Sequence, residues 1–220
     1  MYYNIHTHII PDENTNISNI VNISVENISD IHVGIQYSIG IHPWYIKKEQ
    51  IQKELDLIRK YAVLPNIKAI GECGLDKLCQ SDFELQKEVF SSQILISEEI
   101  NKPLIIHCVK SFDEIIALMK KHQPKQAWII HGFRGKPEQA KQLVKKGIFL
   151  SFGDKYNENS MKNLSLKTLF FETDDSNSDI RDIYSKAAKT LGIPEENLIR
   201  QIEQNIRNIF GTHSTVYLNT

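Results

Sequence analysis

Short apolar runs recur along the chain and alternate with stretches in which the apolar residues follow a helical period. The runs have the length and the β-branched content of strands. They cover residues 2–8, 20–25, 36–42, 67–73, 104–109, 127–131, 148–152 and 169–172. Between most of them the apolar spacing changes to three and four, as at Ile51, Leu55, Ile58 and Ala62, which predicts amphipathic helices.

Capping residues indicate where one of the longer helices begins. Ser81 and Glu84 have the spacing of a capping box, which predicts a helix from there to about Ile100. The same apolar periodicity predicts further helices over residues 111–122, 137–146 and 194–210.

The order of these elements predicts the fold class. Eight strands that are mostly separated by helices are typical of parallel βα units, and eight such units close into a (β/α)₈ TIM barrel. The connections after the first two strands are too short for full helices, so we expect an α/β barrel with trimmed first connections. No repeat or linker interrupts the pattern, which predicts a single domain over residues 1–220.

Composition narrows the class of protein further. Hydrophobic residues make up 41% and charged residues 24% of the chain, as is usual for a globular domain. The formal net charge of −1 gives no overall attraction to nucleic acid. Three cysteines without metal-type spacing indicate reduced thiols. Without a secretory signal or a membrane-length apolar run, we expect a cytoplasmic protein with no membrane association and no obligate protein partner.

Candidate chemistry begins in the first predicted strand, which contains His6 and His8. Side chains alternate between the two faces of a strand, so these two imidazoles point in the same direction. Two imidazoles on one face can bind one divalent ion. A pair of this kind is a weak signal by itself, because a polar strand end would look the same.

Further ligand-type residues lie at the ends of other predicted strands. Glu72, His107 and His131 close strands four, five and six, and Asp174 follows strand eight. In an α/β barrel these carboxyl ends form the working face. Four histidines and two carboxylates are too many ligands for one tetrahedral ion, but they suit two divalent ions (Mg, Mn or Zn) that share a bridging carboxylate. Such a pair can activate water for hydrolysis of a phosphoester.

Several short motifs follow one another in a fixed order along nearly the whole chain. They are His6-Thr-His8, Gly40-Ile-His42-Pro43, Gly71-Glu72-Cys-Gly74-Leu75-Asp76, Ile106-His107, Ile130-His131-Gly-Phe133, Glu172-Thr173-Asp174 and Asn205-Ile-Arg-Asn-Ile-Phe210-Gly211. This series resembles the TatD family of metal-dependent deoxyribonucleases. The resemblance implies a TIM barrel of the amidohydrolase-like group. It also implies metal-dependent hydrolysis of DNA phosphodiester bonds, often from the 3′ end.

The resemblance also implies a role for each candidate ligand. The implied set comprises His6, His8 and Asp174 for one ion, His107 and His131 for the other, and Glu72 as the bridge between them. On this interpretation Glu72 and Asp174 are the catalytic residues. Asp174 would orient the attacking water and take its proton.

Other residues lie where a substrate would approach. His42 follows the third strand and is predicted to contact the substrate. Lys110 and Arg134 follow strands five and six, where each could bind a phosphate or could be a solvated loop cation. Trp44 and Tyr45, also after the third strand, could stack on a base or pack at the rim.

Some rim positions depart from the family pattern, namely Cys108-Val109-Lys110, Gly132-Phe-Arg134 and residues 175–179. Two alternatives to a DNA-cleaving enzyme therefore stay open. One is a metal-dependent hydrolase of a small phosphodiester, amide or lactone. The other is a barrel that holds metal and binds a ligand or partner without turnover.

Overall fold

The computed structural model describes residues 1–10, 16–32 and 34–211. Eight parallel strands pair in sequence order in a single sheet that curves into a barrel. They are β1 (Tyr2–Thr7), β2 (Ile17–Ser24), β3 (Gln36–Gly40), β4 (Ile67–Asp76), β5 (Leu104–Val109), β6 (Trp128–Ile130), β7 (Phe149–Phe152) and β8 (Leu169–Phe171). The predicted (β/α)₈ fold is confirmed, and the predicted strand bounds agree with the structure to within about three residues.

Helices cover the outside of the sheet. They are α1 (Ile51–Ala62), α2 (Phe83–Ile100), α3 (Phe112–His122), α4 (Pro137–Lys145), α5 (Glu158–Lys162), α6 (Ile180–Leu191) and α7 (Glu195–Phe210). The sequence analysis did not predict α5, which is very short, or α6, although the buried residues of α6 follow the helical period. No helix in the described part of the chain has the length and apolar character needed to cross a bilayer.

The first two connections are short, as predicted. The connection from β1 to β2 consists of residues 8–16. These are too few to form a helix of ordinary length together with a turn at each end of it. The link from β2 to β3 contains a 3₁₀ helix, Val25–Asp30, in place of an α-helix.

The predicted start of α2 is wrong by one residue. Asp82, not Ser81, is the N-cap, and its Oδ1 accepts the N–H of Leu85 at 2.8 Å. A carboxylate at this position also interacts favourably with the positive end of the helix dipole. The Ser81 hydroxyl donates instead to the carbonyl of Pro43 at 2.7 Å, which ties α2 to the loop after β3.

The barrel closes between β1 and β8 over a short seam. The Asp174 N–H donates to the carbonyl of His6 at 3.0 Å, and the His8 N–H donates to the carbonyl of Asp174 at 3.1 Å. One residue earlier in β8's continuation, the side-chain amide of Asn4 accepts a hydrogen bond from the N–H of Thr173 at 3.0 Å. The same amide donates to the hydroxyl of Thr173 at 2.9 Å. The seam therefore holds the Asp174 carboxylate beside the two histidines of β1.

Candidate metal centre

The predicted metal ligands converge at the carboxyl end of the barrel, around the buried carboxylate of Glu72. Glu72 Oε2 lies 3.4 Å from His6 Nε2 and 3.5 Å from His8 Nε2. Asp174 Oδ1 lies 3.5 Å and 3.4 Å from the same two nitrogens. Ligand atoms bound tetrahedrally to one zinc ion at about 2.0–2.1 Å lie about 3.4 Å apart. Each of these four pairs of atoms therefore has the spacing of two ligands of a single ion.

The other oxygen of Glu72 faces a second group of histidines. Glu72 Oε1 lies 2.9 Å from His107 Nδ1 and 2.8 Å from His131 Nε2. The two nitrogens are 3.4 Å apart. Each oxygen of Glu72 thus serves a different set of imidazoles, as a carboxylate that bridges two ions would do.

The state of His6 tests whether this site fits a metal ion. Its side chain is fully buried, and neither ring nitrogen has a hydrogen-bond partner among the described residues. A buried polar atom without a partner is costly, and high-resolution structures rarely contain one without a reason. A divalent ion near Nε2 would satisfy that atom. The imidazole and carboxylate donors also suit zinc or manganese, so the residues fit the group.

His42 also reaches the cluster, but its hydrogen bonds limit what it can do. Its Nδ1 accepts the N–H of Trp44 at 3.1 Å, and its Nε2 lies 3.1 Å from Glu72 Oε1. A neutral imidazole that accepts at Nδ1 carries its proton on Nε2. His42 therefore offers a donor, not a lone pair, to the centre of the site. This favours its predicted contact with substrate over metal ligation.

Two carboxylates orient the histidines of the second group. Glu172 is fully buried, and its Oε1 lies 3.2 Å from His131 Nδ1 and accepts the N–H of Gly132 at 2.5 Å. Asp76 Oδ2 lies 3.2 Å from His107 Nε2. Each carboxylate fixes the ring and its tautomer, so that the other nitrogen faces Glu72. The sequence analysis did not predict this contact between Asp76 and His107.

Glu72 does not close its strand as predicted, because β4 continues to Asp76. The pairing of β4 with β5 shifts between Ile70 and Cys73, which is the mark of a bulge. The Glu72 N–H donates to the side chain of Asn22 on β2 at 2.7 Å instead of joining the ladder. The irregularity places this carboxylate inside the barrel mouth, in the middle of a strand.

Two buried glutamines of α2 hold the strand ends that border the site, and the sequence interpretation missed both. Gln93 accepts from the N–H of Ile41 at 2.7 Å and donates to its carbonyl at 3.1 Å. Gln86 pairs in the same way with the backbone of Asp76, at 2.8 Å and 3.0 Å. Their spacing of seven residues puts them on one helix face. A side-chain amide on the apolar face of a predicted helix must find a hydrogen-bond partner in the core, and this signal could have identified both glutamines from the sequence.

The remaining predicted site residues lie on the rim. Lys110 and Arg134 are exposed in the loops after β5 and β6. Within the described ranges neither side chain has an ion-pair partner. Asp174 could have capped the next helix, but Asp179 does so, accepting the N–H of Arg181 at 2.9 Å. The Asp174 carboxylate is therefore available to the site.

Mutual contacts decide the protonation of the cluster. Burial by itself would raise the pKa of Glu72, but His131, His107 and His42 hold that pKa well below its usual range. The pKa of Asp174 is likewise lowered against its burial, by contacts with His6 and His8. Both carboxylates are thus ionised at neutral pH. The contacts of His8 with Asp174 and Glu72 raise the pKa of His8 to about 9.

Metal binding should release protons, because a histidine must be neutral to act as a ligand. Below about pH 9 the metal-free protein carries on His8 a proton that the ion must displace. The apparent affinity for Zn²⁺ should therefore be higher at pH 9.5 than at pH 7. Calorimetric titration in two buffers of different ionisation enthalpy measures the released protons at pH 7 and pH 9.5.

The matched controls for this titration are two histidine variants. His8→Gln should release about one proton fewer at pH 7 than the unmodified protein. His122→Gln, changed at the end of the outer helix α3, should release the same number. Equal release at both pH values would contradict the prediction.

Comparison with known proteins agrees with this arrangement. A model of the family described as TatD related DNase matches residues 10–211. A putative deoxyribonuclease TATDN1 homolog from Enterocytozoon bieneusi (strain H348) is 30% identical over 209 residues, covering 86% of this chain and 75% of that protein. The uncharacterized metal-dependent hydrolase YabD of Bacillus subtilis (strain 168) is 33% identical over 121 residues, covering 54% of this chain and 47% of that protein.

Structural similarity extends over the whole barrel. The crystal structure of YjjV, a TatD homolog from Escherichia coli K12, aligns with a TM-score of 0.83 at 18% identity, covering 96% of this chain and 98% of that chain. At this identity the match establishes the fold alone. The chain spans about half the length of several curated relatives that it matches. Because the family model covers most of the sequence, the chain belongs to the TatD related DNase family.

Proposed function

We propose that this protein is a two-metal hydrolase that cleaves DNA phosphodiester bonds. The observation that carries the proposal is the placement of Glu72, one of whose oxygens faces His6 and His8 while the other faces His107 and His131. Two divalent ions bound there would supply a Lewis acid and lower the pKa of a water molecule, the two requirements for phosphodiester hydrolysis. The protein needs no covalent nucleophile for this reaction.

The distances in the structure support the following proposed ligand sets. The first ion has His6, His8 and Asp174, the second has His107 and His131, and Glu72 is common to both. Asp76 and Glu172 hold the rings of His107 and His131 in position. Because these carboxylates fix ring orientation before substrate arrives, little reorganisation is needed during the reaction.

Asp174 is proposed to orient the attacking water and to accept its proton. Its carboxylate is about one quarter exposed, while Glu72 is almost fully buried, so Asp174 is the acidic ligand that solvent reaches. Its lowered pKa keeps it ionised and able to accept a hydrogen bond. The water oxygen then bonds to phosphorus as the bond to the 3′ oxygen breaks, and the leaving oxygen takes up a proton.

Chemistry at the rim supports DNA as the substrate. Lys110 and Arg134 present two exposed cations beside the cluster, where each can bind a phosphate oxygen. The Enterocytozoon bieneusi relative is named as a putative deoxyribonuclease, and the matching family is described as TatD related DNase. The net charge of −1 restricts attraction for DNA to this local surface.

The test is hydrolysis of a 5′-labelled single-stranded oligonucleotide with added Mg²⁺, Mn²⁺ or Zn²⁺, run beside bis-p-nitrophenyl phosphate. Shortening of the DNA that a chelator stops would support the proposal. The paired variants Lys110→Gln and Lys121→Gln then test the rim, since Lys121 is an exposed lysine on α3. Cleavage of the small ester alone would reject DNA and favour a small phosphodiester. No turnover of either compound would reject the phosphodiesterase function.

A further inference from the structure

An exposed aromatic pair borders the metal centre on one side. Trp44 is 55% exposed and Tyr45 is 66% exposed, and both lie in the 3₁₀ helix that directly follows His42. We refer to these two side chains as the aromatic step. Exposed aromatic rings that lie next to each other are typical of a surface that meets a ligand or a partner. Neither ring belongs to the hydrophobic core of the described residues.

The tryptophan of this step is held rigidly. Its Nε1 donates to Asp76 Oδ2 at 2.6 Å, the same oxygen that faces His107. Its ring meets those of His42 and His107 edge to face, with centroids 5.0 Å and 5.7 Å apart. A ring fixed in this way loses little freedom when a flat ligand stacks on it, so stacking is more favourable than on a mobile side chain.

The charges on the rim follow the next strands around the barrel. The aromatic step follows β3, beside β4, whereas Lys110 and Arg134 follow β5 and β6. Because strands pair in sequence order around the barrel, β4, which carries Glu72, lies between the strand that precedes the aromatic step and the two strands that precede the cations. A nucleotide strand has the same division, with flat apolar bases attached to an anionic backbone.

We propose that Trp44 and Tyr45 form a stacking subsite for the nucleobase next to the scissile phosphate, with the phosphates directed towards Lys110 and Arg134. This inference rests on the proposed DNA hydrolysis. It also specifies the side of the barrel mouth on which the base binds. Stacking accepts every base, because each base has a π face. The subsite therefore makes the enzyme depend on the presence of a base but not on its identity.

The test compares two oligonucleotides and three variants. One oligonucleotide has ordinary nucleotides at its 3′ end, and in the other, tetrahydrofuran abasic residues replace the last two. Trp44→Phe removes the hydrogen bond to Asp76 but keeps a flat ring, whereas Trp44→Leu removes both. Tyr45→Ser removes the second ring, which makes no hydrogen bond among the described contacts.

The expected result is a higher KM for the base-bearing strand. Trp44→Leu should raise that KM roughly tenfold above the value for Trp44→Phe, and Tyr45→Ser should raise it severalfold. The abasic strand should bind all four proteins equally weakly. If Trp44→Leu and Trp44→Phe lose the same activity on both strands, Trp44 only positions Asp76 and the proposal is overturned.

Failure of the proposed function would be distinguishable from failure of this inference. If the unmodified protein cleaves no DNA, equilibrium binding of the same two strands can be followed by tryptophan fluorescence. The chain has only one other tryptophan, Trp128, which is fully buried, so quenching by a base reports on Trp44. Quenching by the base-bearing strand alone would support the subsite, and equal or absent quenching would overturn it.

Discussion

Replacing Asp174 with asparagine should lower the rate of phosphodiester hydrolysis by about 10²–10⁴-fold, the usual contribution of a positioned general base. The amide keeps an oxygen that can face His6 and His8, so much of the metal binding should persist. It cannot accept a proton from water at neutral pH. The loss should therefore appear in kcat, with a smaller effect on KM.

The matched control for this variant is Asp179→Asn, which makes the same chemical change five residues further along the chain. Asp179 caps α6, and asparagine is an equally good N-cap, so this protein should keep its rate within about twofold. The metal content of each purified protein distinguishes the role of Asp174 as a metal ligand from its role as a proton acceptor. Unchanged turnover of Asp174→Asn with both ions bound would remove the proton-accepting role. Loss of metal together with turnover would make Asp174 mainly a ligand.

The fold and the set of ligand residues could be predicted because both depend on local patterns. The two-residue period of a strand predicts that His6 and His8 share one face, and the structure puts their ring centroids 5.0 Å apart, although β1 itself ends at Thr7. The barrel topology then brings the ends of distant strands together without any detail of side-chain packing. This is why Glu72, His107 and His131 could be grouped from sequence alone.

The remaining features depend on contacts between residues far apart in the chain. The protonated nitrogen of His42 is set by the N–H of Trp44, and the ring of His107 is set by Asp76. Neither contact follows from a residue type or from a spacing. The bulge that places Glu72 within β4 depends in the same way on its pairing with β5. Sequence patterns give the side of the barrel on which these groups lie, but not their hydrogen bonds.

A second large effect is expected from Gly74→Ala, which should destabilise the protein by about 3–5 kcal/mol. Gly74 has a φ of +138° and pairs with His107 across β4 and β5. A β-carbon added there would lie 2.1 Å from the carbonyl oxygen of His107, and backbone atoms on both sides of the contact have little room to move. The two strands must separate at this point, which also displaces the imidazole of His107.

Gly147→Ala separates this steric effect from the cost of a positive φ. Gly147 has a φ of +85°, and a β-carbon added there would meet no atom within 4 Å, so its cost should be only about 1–2 kcal/mol. Urea unfolding of the metal-free proteins measures both free energies. Because His107 moves only in Gly74→Ala, that variant alone should also bind Zn²⁺ more weakly, by about tenfold or more. Equal destabilisation by the two substitutions would show that the close approach of β4 to β5 does not constrain the site.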